Sequence, residues 1–325
     1  MSITGLGCHV PEKIVTNDDL AAIVETSDEW INERTGIRQR RIAAEHEAMS
    51  DLSLPAARQA LEQAGVTPDD IDLIIVATVT PDMAFPATAA LVADRLGAHD
   101  AAAYDLSAGC TGFMYALAQG HAMVAAGLSK RALVIGGDIL SRILDWTDRS
   151  TLVLFGDGAG AVVLEEVDEG GFLGFELGAD GAGGRELLLP GSGSRILGED
   201  EKAYLTMNGR EVFKFATRVL VSSAEAILET CGLAVDDVDV YVPHQANIRI
   251  IEHAVRKLGF RGEKVIVNVD RYGNTSSGSI PLALADATGD GRLQPGSLVL
   301  MTGMGAGLTW GSALMHWTLP TNGAS

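Results

Sequence analysis

Three cysteines, Cys8, Cys110 and Cys231, are too few and too scattered for a disulfide framework or a paired-cysteine zinc site. Cys8 and Cys231 are expected as small buried hydrophobes. Basic residues are also scarce: 24 Lys and Arg stand against 43 Asp and Glu, a formal net charge of −19. That balance excludes a general binder of nucleic acid or of anionic membranes, both of which would repel the chain. No run approaches the roughly 20 uninterrupted apolar residues that a bilayer span needs. The opening MSITGLGCHVPEK has neither the basic start nor the apolar run of a signal peptide, so the expected compartment is cytoplasmic. Prolines number 10 against 38 glycines, which points to tight turns rather than disorder.

What is present is said twice. AGVTPDDIDLIIVATVTPD, from Ala64, is echoed by CGLAVDDVDVYVPHQAN, from Cys231. Gly65 and Gly232, Asp72 and Asp239, and Leu117 and Leu284 are each 167 positions apart. ALVIGGD meets LVLMTGMG, and GAGAVVLE meets WGSALMHW, in the same order along the chain. Matches recurring in order imply duplication of about half a chain rather than a short solenoid repeat. Each half alternates helical apolar spacing with short apolar strands, the pattern of βαβ units with a mainly parallel sheet. TGFMYALAQGHAMVAAG is apolar or small throughout, which predicts a helix buried on every side. Residues 183–209, rich in glycine and charge, break the pattern and read as an excursion able to border a pocket.

Within this frame AYDLSAGCTGFMYALAQG sets Cys110 where a strand end meets a helix start. Functional groups collect at the carboxyl ends of strands, and a helix N-terminus favours a thiolate, so a lowered thiol pKa is expected. The local pattern leaves a structural cysteine equally open. His244 in PHQAN follows a strand, and Asn274 in RYGNTSSG stands opposite the cysteine turn in the repeat. A twofold relation between the halves would bring all three strand ends to one cavity. The glycine runs GDGAG and GMGAG are followed by strand-like residues, not by the helix that a phosphate loop requires.

The motifs TSDEWINERTGIRQRR, AFPATAALVADRLG, AGCTGF, LFGDGAGAVVL, MNGREVFKFA, VPHQANIRII, DRYGNTSSGSIPLAL and GAGLTWGSAL run along essentially the whole chain. In them the sequence resembles the β-ketoacyl-acyl-carrier-protein synthase III family of the thiolase superfamily. The resemblance implies an α/β thiolase-like fold of two duplicated βαβαβ halves about a pseudo-twofold axis, layered α-β-α-β-α. Residues 1–170 would carry Cys110, and residues 171–325 would carry His244 and Asn274.

The implied chemistry is covalent and ping-pong. Cys110 takes an acyl group from acyl-CoA, and malonyl-acyl carrier protein then loses carbon dioxide and attacks the acyl-cysteine to begin type II fatty acid synthesis. His244 and Asn274 would donate hydrogen bonds to the enolate, and the backbone N–H groups of Cys110 and Ala306 would form an oxyanion hole. No metal and no cofactor are expected beyond the coenzyme A thioester used as substrate.

An acidic chain must receive anionic partners through local basic islands. Arg34, Arg38, Arg40 and Arg41 form one, and Arg249, Arg256, Lys257, Arg261 and Lys264 the other. The resemblance assigns Trp30 and Arg149 to the adenine, with Thr26 and Arg34 at the tunnel mouth. Gly209, Phe213, Ala246 and Asn247 would line the pantetheine channel. Gln245, Ala246, Asn247, Ile248 and Arg249 would meet the carrier protein. Phe85 would cross a homodimer interface and close the primer pocket. Two alternatives stay open: a related acyltransferase of secondary metabolism, and a papain-like Cys-His-Asn hydrolase.

Overall fold

A computed structural model describes residues 1–320 except 192 and 200. The first half forms a five-stranded sheet in the order Ser2–His9, Gly158–Glu165, Arg131–Asp138, Leu73–Ala77, Ala102–Leu106. The second forms a four-stranded sheet in the order Gly171–Ala179, Thr309–His316, Leu298–Gly305, Val240–Pro243. The four strands of the second sheet follow the order of the first four of the first sheet, and the register matches too. Leu73 pairs with Ala132 in one sheet, and Val240 pairs with Val299, both 167 positions later, in the other.

Alternation within the strands explains the layers. Ile75 and Ala77 face inward, while Ile74 and Val76 face outward under the helices Met49–Ala64 and Thr88–Leu96. The helices Gly209–Cys231 and Ile248–Leu258 cover the outer face of the second sheet. Between the sheets lie Gly112–Ala125 and Ser279–Gly289, the two helices with almost no polar face, and one core cluster joins them to both sheets. The architecture is the α-β-α-β-α layering of the thiolase-like fold.

Small devices repeat with the large ones. Gly65 and Gly232 end their helices with the same backbone angles, φ 68° and ψ 29°, a left-handed cap that glycine takes without steric cost. Asp72 accepts a hydrogen bond from the Arg131 N–H at 3.2 Å, as Asp239 does from the Leu298 N–H at 2.9 Å.

Where the halves differ, the site is built. The first sheet takes residues 139–157 to pass from one strand to the next, while the second takes only Ala306–Leu308. The second sheet also lacks a full fifth strand: Tyr241 makes a single bridge to Val265. A helical turn, Val269–Tyr272, stands where the repeat predicts a strand, so Asn274 leaves a helical turn and not a strand end. Residues 183–209 carry a two-stranded ribbon, Leu187–Leu188 with Thr206–Met207. Cys8 and Cys231, expected inside, are only half-buried, at the end of an outer strand and of an outer helix.

Candidate active site

The chain leaves strand Ala102–Leu106, turns through Gly109 at φ 59°, and enters helix Gly112–Ala125 just after Cys110. Gly109 is needed twice over. Its φ is left-handed, and a Cβ there would sit 2.7 Å from the Ala306 nitrogen. This close approach sets the Cys110 and Ala306 turns against each other. Gly305 does the same from the other side, since a Cβ on it would collide with the Cys110 backbone nitrogen.

The thiol is not poised as the sequence implied. Burial pushes Cys110 up to about 11, and the buried Asp138 carboxylate adds to the rise. The Ser276 hydroxyl and the backbone N–H groups of Cys110 and Ala306 pull the other way without prevailing. Desolvation in an enclosed site outweighs these hydrogen-bond donors. The resting nucleophile is a thiol.

His244 follows strand Val240–Pro243 and is 1% exposed, with its backbone N–H bonded to the Thr302 carbonyl at 2.8 Å. Burial lowers its pKa to about 4, so the ring is neutral at pH 7, and neither ring nitrogen has a hydrogen-bond partner. A neutral imidazole carries one N–H, left here without an acceptor. Asn274 is oriented by its neighbour: its Oδ1 accepts from the Ser276 N–H at 2.9 Å, which leaves its NH₂ as the free end.

Cys110, His244 and Asn274 line one cavity of about 100 Å³, walled by apolar groups including Phe155, Leu187, Met207 and Met304. Gly209, Phe213, Ala246 and Asn247 line it too. A second cavity of about 220 Å³ adjoins the first, lined by Cys110, Ala306 and a wall of Leu140, Ile143, Leu187, Leu189 and Leu205. Cys110 is common to both cavities. Among the described residues no cluster of His, Cys, Asp or Glu is arranged to hold a metal ion.

The half-buried indole of Trp30 is met by two guanidinium groups, Arg34 at 4.6 Å and Arg149 at 5.0 Å from the ring centroid. Arg149 also donates to the Glu25 carbonyl at 2.7 Å, beside Thr26, whose buried hydroxyl has no partner. Asn247 links this group to the cavity through a 3.0 Å bond from its Nδ2 to the Arg34 carbonyl.

Three assignments change. Gln245, expected at the carrier-protein contact, is 1% exposed, and its amide is consumed by the Pro243 and Ile266 carbonyls and the Asn268 N–H. It braces the turn that presents His244. Arg40 is likewise not part of a surface island: it is 1% exposed and donates to Val15 O, Asn17 Oδ1 and Val153 O. Ile248 packs against Gly36 and the core around Trp30, leaving Arg249 as the exposed member of its segment. Phe85 is 85% exposed and lines neither cavity of its own chain.

The geometry agrees with comparisons to known proteins. The family described as 3-oxoacyl-[acyl-carrier-protein] synthase III matches residues 104–181, and its C-terminal counterpart matches residues 228–317. A β-ketoacyl-[acyl-carrier-protein] synthase III of Symbiobacterium thermophilum is 56% identical over 98% of both chains. The chain belongs to the β-ketoacyl-acyl-carrier-protein synthase III family.

A synthase III of Desulfitobacterium hafniense is 52% identical over 98% of both chains. The solved synthase III of Thermus thermophilus superposes with a TM-score of 0.94 at 51% identity, covering 98% of this chain and all of that one. Synthase III enzymes are condensing acyltransferases, and this chain is one of them. Among the described residues no helix is long and apolar enough to cross a membrane.

Two groups at the site carried no signal strong enough to single out in the sequence. Asp138 closes the strand quoted above as ALVIGGD, yet a lone aspartate after two glycines reads as a turn former. Ser276 is one of three hydroxyl residues in TSS, and only its backbone angle distinguishes it.

Proposed function

We propose that this synthase III joins an acyl-CoA primer to malonyl-acyl carrier protein, using Cys110 as nucleophile and His244 and Asn274 as enolate donors. The observation that carries the reading is the convergence of a thiol, a neutral imidazole and an oriented carboxamide on one apolar cavity, with a second cavity that Cys110 also lines.

In the first step sulfur attacks the primer thioester, the carbonyl–sulfur bond to coenzyme A breaks, and the proton lost by Cys110 ends on the departing thiol. The carbonyl oxygen is received by the N–H groups of Cys110 and Ala306. In the second step malonyl-acyl carrier protein loses carbon dioxide, and the electron pair of the broken carbon–carbon bond passes into an enolate. Its oxygen meets the His244 N–H and the Asn274 NH₂, two donors in a dry site where each is worth about 3 kcal/mol. The enolate carbon then attacks the acyl-cysteine, the carbon–sulfur bond breaks, and the departing thiolate takes up one proton from solvent, the proton that the overall decarboxylative condensation consumes. No cofactor enters either step.

Coenzyme A would reach the sulfur past Thr26, Trp30, Arg34 and Arg149, with pantetheine running by Gly209, Phe213, Ala246 and Asn247. Ala246, Asn247 and above all the exposed Arg249 would meet the carrier protein. Phe85, too exposed to be settled in one protomer, fits a homodimer in which it enters the partner's primer pocket. A cytoplasmic location agrees with these soluble substrates.

The papain-like reading loses its support because His244 makes no hydrogen bond to the thiol. To test the proposal, acetyl-CoA and longer or branched acyl-CoAs are each mixed with malonyl-acyl carrier protein. Ketoacyl-carrier product with carbon dioxide release is expected; hydrolysis alone, or no turnover with any primer, contradicts it. Product formed equally well from malonyl-CoA would instead favour the acyltransferase of secondary metabolism.

A further inference from the structure

The duplication sets Ser276 at the position equivalent to Gly109, 167 residues on, and both turns have positive φ, 59° at Gly109 and 51° at Ser276. The first half fills this left-handed position with glycine, the residue that suits it. The second half keeps a serine there, one of two non-glycine residues with positive φ among those described. The conformation is held from several directions. The Ser276 N–H is bonded to Asn274 Oδ1, and Ser277 is pinned to the Asp138 carboxylate by its N–H at 3.2 Å and its Oγ at 2.9 Å. The same Oγ reaches the Gly109 carbonyl at 3.4 Å, which ties this turn to the one bearing Cys110.

What these bonds leave over is the Ser276 hydroxyl. It is 1% exposed, completes no hydrogen bond of good geometry, lines the second cavity together with Cys110, and faces both the Cys110 sulfur and the Asp138 carboxylate. Backbone strain that persists under such clamping is a mark of functional positions. A buried hydroxyl without a partner beside a nucleophile is a donor awaiting an acceptor.

We propose that Ser276 is a further catalytic residue, its hydroxyl donating a hydrogen bond to the Cys110 sulfur whenever that sulfur carries negative charge. This happens twice, when the thiol gives up its proton to attack and when the sulfur leaves at the end of condensation. The contact forms no covalent bond and moves no proton. Asp138 is a positioning residue: it holds the turn through Ser277, and its carboxylate also faces the Ser276 hydroxyl, which turns to the sulfur when negative charge develops there. In support, Ser276 is the side chain that draws the thiol down against burial, and His244, lacking any bond to the sulfur, does not. The inference rests on the reading of Cys110 as the acyl carrier, but its first test does not need acyl-CoA.

Ser276→Gly removes the hydroxyl and relieves the backbone, and Ser276→Ala removes the hydroxyl alone. Iodoacetamide alkylation of Cys110, followed by mass spectrometry across pH 7 to 10, reads the sulfur directly. Both variants should alkylate about tenfold more slowly at pH 8, a rise of about one unit in thiol pKa, and should take up acyl groups about tenfold more slowly. Thermal melting checks that each is folded; if one is not, the other carries the test. A Ser276→Gly protein that alkylates at the parent rate at every pH overturns the inference, even if its acyl transfer is slow, because the effect would then be one of shape. If the parent alkylates as expected but accepts no acyl group, the proposed function fails and the sulfur–hydroxyl contact stands.

Discussion

The turn from strand to buried helix is built twice in this molecule, and the two copies carry different chemistry. Position by position, Cys110 in the first half answers to Ser277 in the second, Ala77 to His244, and Ser107 to Asn274. The strands and registers around them coincide. One member of each pair faces the substrate cavity with a reactive group, and the other is structural or inert. The fourth pair is the most instructive. Asp138 ends its strand with a carboxylate that accepts the Ser277 N–H, whereas its counterpart Gly305 brings no side chain to the Cys110 N–H. The donor consumed in one copy is left available for a substrate oxygen in the other. Duplication supplied the frame, and asymmetry in a few side chains supplied the site.

The sharpest way to break this comparison is to make the halves alike. Gly305→Asp would put a carboxylate against the Cys110 N–H and a Cβ into its backbone. Acylation of Cys110 should fall more than about 1,000-fold, since an oxyanion donor and the turn geometry are lost together; intact-mass measurement after incubation with acyl-CoA checks it. Next come the donors held by the second half. His244→Ala and Asn274→Asp should each slow condensation by about 100- to 1,000-fold while Cys110 still acylates. Aspartate is the more telling change, because an ionised carboxylate offers no donor and repels the enolate.

Acid unfolding provides a milder test. His244 has no counterpart in Ala77, and burial lowers its pKa from 6.5 to about 4. The unfolded chain binds a proton there below pH 6.5 and the native chain does not, so stability is fully present above 6.5 and falls as pH drops towards 4. The loss is about 3 kcal/mol across that window. Denaturant titrations at pH 7 and pH 4.5 should show this component in the parent and not in His244→Ala. The smallest effect lies at the entrance. Arg149 comes from the long 139–157 connection that only the first half has, and Arg149→Ala should raise KM for acyl-CoA about fivefold with kcat little changed.

Much of this was legible beforehand because it repeats. Two matched glycines, two matched aspartates and the paired strand motifs carried the duplication, hydrophobic period carried the βαβ units, and the layering came with the family resemblance. The convergence of Cys110, His244 and Asn274 followed from that symmetry. Departures from symmetry were not legible. Nothing in DRYGN marks Val269–Tyr272 as a helical turn, and nothing in HQAN tells that Gln245 points inward while Arg249 points out. Arg40 looks like its surface neighbours until the fold encloses it. The thiol's raised pKa was misjudged because helix charge is a local property readable in sequence, while desolvation depends on the whole enclosure.

The central claim is that Cys110, and not its twin Ser277 or either other cysteine, carries the acyl group between two substrates. Intact-mass and peptide spectrometry after incubation with a mixture of acyl-CoAs tests it most directly. The account predicts one acyl group per chain, located on Cys110 and discharged when malonyl-acyl carrier protein is added. An adduct on another residue, or an acylated Cys110 that malonyl-acyl carrier protein leaves untouched, would contradict it.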